Sequence, residues 1–92
     1  MTYILNYSDP AKKNDYPKLG ESEKIRIRKV VEEKLTTRPE IFGKPLRCSL
    51  KGCRSLRVGS YRVIFRIEGA IVMVYAIQKK EKVYKNVIRR II

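Results

Sequence analysis

Ninety-two residues with 43% apolar content suffice for one domain with a modest core, which excludes a two-domain protein and a disordered basic tail. With 22 Lys and Arg against nine acids, the formal net charge of +13 points to a polyanionic partner, nucleic acid being the commonest, with plain solubility as the alternative. No histidine and no second cysteine pair argue against zinc, and no apolar run reaches membrane-spanning length, so a cytoplasmic protein is expected, with Cys48 and Cys53 reduced and a disulfide between them the alternative.

The first predicted strand covers residues 2–7, TYILNY, and stops at Ser8-Asp9-Pro10, a capping residue with proline close behind that signals a helix start. A short helix over 10–16 is closed by Pro17 and Gly20. A longer one runs from 21 or 22 to about 36, where Ile27, Val30, Val31 and Leu35 form an apolar stripe suited to a sheet. Lys24, Arg26, Lys29, Glu32 and Glu33 lie away from the stripe, as on an ordinary solvated face. Arg38 ahead of Pro39 ends this helix, because the residue before proline resists the α region. The link over 40–51 has no clear period; Ile41, Phe42, Leu46 and Leu50 are expected to pin it to the core.

Residues 52–67, GCRSLRVGSYRVIFRI, read with period two as a β-hairpin turning at Gly59-Ser60. That turn sets Val58 opposite Tyr61, Leu56 opposite Val63 and Arg54 opposite Phe65 on a mainly apolar side. On the other side Arg57 meets Arg62 and Cys53 meets Arg66. Like charges directly opposed destabilise a strand pair, so the arrangement has little structural reason, and an anionic ligand supplies one. The surrounding interval fits: no acid falls between Glu40 and Glu68, while Lys44, Arg47, Lys51, Arg54, Arg57, Arg62 and Arg66 do.

A second turn at Glu68-Gly69 leads to a strand over 70–77. It pairs Arg62 with Tyr75, Ile64 with Met73 and Arg66 with Ile71 on the basic face, and Phe65 with Val72, Val63 with Val74 and Tyr61 with Ala76 on the helix-covered one. The basic face then holds an apolar floor of Ile64, Ile71, Met73 and Tyr75, fit for a stacked base, a partner's amphipathic helix or the chain's own last helix. That helix is expected over about 81–92, with Val83, Val87 and Ile91 in a row and Tyr84 and Ile88 beside it. Lys85, Arg89 and Arg90 suit its carboxyl end. The pattern is α+β: an antiparallel sheet of about four strands, a two-helix hairpin on one face and a C-terminal helix, in one domain over 1–92.

The element order, the block Leu56-Arg57-Val58-Gly59-x-Tyr61-Arg62-Val63-Ile64-Phe65, the preceding Pro45-Leu46 and Leu50-x-Gly52, and Val83-Tyr84 resemble the RelE/ParE superfamily of bacterial and archaeal toxins over nearly the whole chain. The resemblance implies a small RelE-like fold and a type II toxin that cleaves mRNA on the ribosome and so arrests translation. A ParE-type inhibitor that traps DNA gyrase without chemistry is the alternative. It further implies a small acidic antitoxin as partner and neither cofactor nor metal. Carried over by position, Arg57 and Arg62 hold or stabilise the scissile phosphate, Tyr84 orients or stacks against the RNA, and Lys79 and Lys80 add charge. Lys51, Arg54, Arg66, Tyr75 and Lys82 are expected to make further nucleic-acid contacts. Ser55 stands where the family's ribonucleases carry a lysine, so the proton acceptor stays unassigned. The structural alternatives are a carboxylate bridge for Arg62, a core position for Tyr84 and a solvated turn for Lys79 and Lys80.

Overall fold

The hydrophobic period changes along the chain from alternation to a helical stripe and back, and the elements follow it. The computed structural model describes residues 2–46 and 52–91. β1 (Ile4–Tyr7) leads through two short helical turns, Ala11–Asp15 and Tyr16–Lys18, to α1 (Glu21–Lys34). After α2 (Pro39–Phe42) and β2 (Lys44–Pro45) come β3 (Arg54–Val58), β4 (Tyr61–Glu68), β5 (Ile71–Lys79) and α3 (Lys80–Ile91). Among the described residues no helix is long and apolar enough to cross a membrane.

Among the described residues the sheet has five strands in the order β1-β5-β4-β3-β2, one more than expected. It is also mixed, since β1 runs parallel to β5 while the other pairs are antiparallel. Parallel neighbours need a long crossover, and the whole chain between β1 and β5 provides it. β2 escapes a sequence reading because two residues have no period; its Lys44 and Pro45 pair with Ser55 and Arg54.

The β3–β4 register is the expected one, with Gly59 at φ +63° in the turn. The β4–β5 register is not. Gly69, also at φ +63°, is the first of the two turn residues rather than the second, so Glu68 pairs with Ile71, Arg66 with Met73 and Phe65 with Val74. The pairing then shifts between Ile64 and Phe65, leaving Tyr75 as an extra residue on β5. Beyond this bulge Ile64 meets Ala76, Val63 meets Ile77, Arg62 meets Gln78 and Tyr61 meets Lys79. One inserted residue turns the following side chains to the opposite face. Ala76 accordingly lies with Ile64 and not, as expected, with Tyr61.

Both faces of the sheet are covered. Ile27 and Val31 of α1, with Leu35 at its carboxyl cap, are buried on Leu56, Val63, Phe65, Val72, Val74 and Ile77, as the stripe predicts. Each such side chain contributes about 1.5–3 kcal/mol relative to exposure. On the opposite face Val83 and Val87 of α3 bury Cys53, Ile64 and Ala76. The chain's own last helix therefore covers Ile64, while Ile71, Met73 and Tyr75 remain half-buried beyond it. The side chain of Ile91, expected in the same row, lies outside the description, as do Cys48, Leu50 and Lys51.

The link before β3 corrects a further expectation. Ile41 and Phe42 are 61% and 41% exposed, so they do not pin it to the core. Pro39 is buried in their place, Leu46 packs at the edge of the α3 cluster, and Phe42 lies under the Lys34 ammonium at 5.2 Å. Gly43 fixes the link more firmly, because a β-carbon there would run into the Phe65 ring and lie 3.0 Å from Arg54 Cβ. Phe65 is fully buried and cannot yield. Gly43→Ala is expected to cost about 1–3 kcal/mol, read as a lower urea midpoint with an unchanged slope.

Candidate nucleic-acid interface

The tight turn at Gly59 brings Arg57 and Arg62 to directly opposite positions, the first exposed and the second half-buried. Their hydrogen bonds within the protein are long and go to nearby backbone: Arg57 Nε donates to Gly59 O at 3.4 Å and Arg62 Nη1 to Tyr61 O at 3.3 Å. The ion pairs among the described residues are Lys24–Glu21, Arg28–Glu32 and Arg90–Asp15, so Arg62 makes no carboxylate bridge there. A guanidinium carries five N–H donors, and most of those on both arginines are left for a ligand.

α3 adds the tyrosine. With Val83 buried beneath the helix, the next residue, Tyr84, is half-buried and its hydroxyl lies 3.4 Å from Ser55 Oγ. Ser55 is two residues from Arg57 on the same side of β3, which puts the phenol on the face that carries the arginine pair. The N–H of Lys80 donates to Ser60 O at 3.3 Å, placing the exposed Lys80 at the same end of the sheet. Lys79 falls elsewhere. It lies opposite Tyr61, which packs against the α1 core, so the bulge turns it to the other face from Arg57 and Arg62.

The remaining expected contacts disperse. Arg66 lies at the far end of the basic face, its Nη2 3.8 Å from Cys53 Sγ and its guanidinium 5.8 Å from the Tyr75 ring centre. This cation–π contact contributes about 0.5–1 kcal/mol. The Tyr75 hydroxyl donates to Glu68 Oε2 at 3.0 Å; burial first, and then this bond to the carboxylate, push its pKa up. Arg54 Nη1 donates to Glu40 O at 3.1 Å and Gly43 O at 2.9 Å, clamping the link before β3. Cys53 is a buried free thiol, Lys82 is exposed on α3, and Lys51 lies outside the described residues. Among the described residues no group of three or more acids and cysteines could hold a metal ion.

What holds α3 in place is a cluster that sequence reasoning missed. Asp15, 3% exposed, receives Arg90 Nη1 on Oδ2 at 2.7 Å and Arg90 Nη2 on Oδ1 at 2.8 Å. The Ile77 N–H and Gln78 Nε2 donate to the same carboxylate at 2.9 and 2.8 Å, and Asn86 Nδ2 donates to Gln78 Oε1 at 2.7 Å. Arg90 Nη1 also donates to the carbonyl of the bulge residue Tyr75 at 3.0 Å. The available signal was a lone acid, Asp15, in the lysine-rich stretch KKNDYPK between Asp9 and Glu21.

A model of the ParE toxin of the type II toxin-antitoxin system parDE matches residues 7–84. Among solved structures, the chain is similar to one in the toxin-antitoxin complex RelBE2 from Mycobacterium tuberculosis, at 27% identity and a TM-score of 0.81, covering 87% of this chain and 93% of that one. It is similar to a double mutant of the E. coli toxin RelE in the free state, at 26% identity and a TM-score of 0.79, covering 100% of each chain. The YoeB/ParE toxin from Agrobacterium tumefaciens shares the fold at 18% identity and a TM-score of 0.66, with 83% of this chain and 96% of that one covered. No curated protein matches the chain.

Proposed function

This chain belongs to the RelE/ParE superfamily of type II toxins, and from that premise we propose that it arrests translation as a ribosome-dependent endoribonuclease acting on mRNA. The observation that carries the reading is Arg57 opposite Arg62 with Tyr84 on the same face, at Ser55, and no carboxylate bridging either arginine among the described residues. In such a cleavage the 2′-oxygen bonds to the adjacent phosphorus, the bond from phosphorus to the 5′-oxygen breaks, and that oxygen takes up a proton. Negative charge builds on the phosphorane oxygens, where two fixed guanidinium groups lower the barrier most. Arginine stays protonated throughout, so the pair stabilises charge and does not accept the 2′-hydroxyl proton. Tyr84 orients the strand by stacking or by its hydroxyl. The partner in this reading is a separate acidic antitoxin, in line with the complex that the RelBE2 chain forms.

Purified protein added to ribosomes programmed with a short mRNA is expected to yield fragments ending inside the decoding site. Tyr84→Phe is expected to slow that cleavage while changing stability by less than about 1 kcal/mol in a urea titration, because the bond to Ser55 is long. A second reading, non-enzymatic trapping of DNA gyrase, is favoured by the ParE description of the matching model and by Ser55 beside Arg57. Inhibition of supercoiling by purified gyrase at stoichiometric protein, with the mRNA left whole, selects it.

A further inference from the structure

Beside the first turns of α3, on the side opposite Tyr84, lies a cavity of about 280 Å³. Asn86 marks that side by its bond to Gln78 on β5, whereas Tyr84 reaches Ser55 on β3. Lys18 from the turn before α1, Lys79 from the end of β5 and Lys82 from α3 are among the residues that line it. The three lysines, one before α1 and two at the β5–α3 junction, have exposed side chains, and none of them is in an ion pair among the described residues. The carboxylate on the wall, Asp15, does not compensate them, because its oxygens are taken by Arg90, Gln78 and the Ile77 N–H. Tyr61 and Asn86 add neutral polar groups to the lining.

We propose that this cavity is a phosphate-binding site, separate from the arginine face. Its volume is near the lower bound of small-ligand sites, about 300 Å³, which suits a phosphate with an attached sugar better than a longer ligand. The same chemistry serves the phosphate of a free nucleotide and the terminal phosphate of a nucleic-acid strand. The assignment moves Lys79 and Lys82 from the expected nucleic-acid face to a pocket completed by Lys18. It does not depend on whether the arginine face cleaves RNA.

The test is a residue-resolved amide NMR titration of the whole chain with inorganic phosphate at constant ionic strength. Saturable shifts are expected at Lys18, Lys79, Lys82 and Asn86, and Lys18→Gln weakens the binding about tenfold, the loss of one charge-assisted contact. Shifts that never saturate, that spread evenly over the basic surface, or that Lys18→Gln leaves unchanged overturn the site. A parallel titration with a 5′-phosphorylated single-stranded RNA separates the sources. Saturation at the same amides below the concentration that inorganic phosphate requires supports a strand terminus, and saturation by phosphate alone supports a free phosphate compound. Lys18→Gln is outside the arginine face and leaves RNA cleavage unchanged, so the pocket and the ribonuclease reading fail separately.

Discussion

Asp15→Ala is expected to lower the unfolding free energy by about 3–5 kcal/mol, measured by urea denaturation, and Arg90→Ala by a similar amount. Each substitution strands a charge that the fold has taken out of water; the side chains are 2% and 17% exposed. The loss is large for a domain whose total stability is about 5–15 kcal/mol. Removing both partners together is expected to cost less than the sum, since no unpaired buried charge then remains. The pair joins three parts of the chain: the segment before α1, the bulge at Tyr75 and the last turn of α3. Its loss should therefore loosen α3, and with it Tyr84, before the α1 side of the core.

The same carboxylate gives the protein an acid-labile contribution. Burial pushes the Asp15 pKa up, but the hydrogen bonds from Arg90, Gln78 and the Ile77 N–H outweigh it and hold the group below its ordinary value. A folded-state pKa below the unfolded one stabilises the fold fully above the unfolded value, about 3.9. That contribution disappears as the pH falls through the folded value. Urea midpoints followed from neutral to strongly acidic pH should show the loss in the wild type, and Asp15→Asn should lack that part of it.

Arg57→Ala combined with Arg62→Ala is expected to abolish growth arrest on expression. Each guanidinium removed should lower mRNA cleavage about 10²–10³-fold, the usual cost of losing a preorganised stabiliser of developing charge. Stability should move the other way or hardly at all, because deleting one of two directly opposed like charges relieves repulsion across the strands. A fall in activity with no fall in stability is what separates a ligand-directed pair from a structural one. Arg57→Lys should retain part of the activity, since it keeps the charge and loses the planar fork.

The part of the fold with a clean period was legible in the sequence. The β3–β4 hairpin follows from alternation around Gly59-Ser60, and the α1 stripe from Ile27, Val31 and Leu35. What escaped has no local signature. The bulge at Tyr75 is a residue like its neighbours in composition, yet it turns Ala76 toward α3 and Lys79 away from the arginines. Ile41 and Phe42 look like core residues because they are apolar, but among the described residues there it is Pro39 and Gly43 that are buried. Asp15 and Arg90 are 75 positions apart, and Arg90 reads by itself only as a cation suited to a helix end. At the candidate site the arginine pair was visible as a conflict between charge and pairing. The grouping of Lys79 and Lys82 with Lys18 required the bulge and the turns before α1.

The ribonuclease reading of the arginine face is tested most directly by mapping mRNA 5′ ends by primer extension after brief induction in cells. New ends clustered inside translated codons, absent with the Arg57→Ala and Arg62→Ala double variant, are the predicted result. Arrested growth with transcripts intact throughout their coding regions would contradict it.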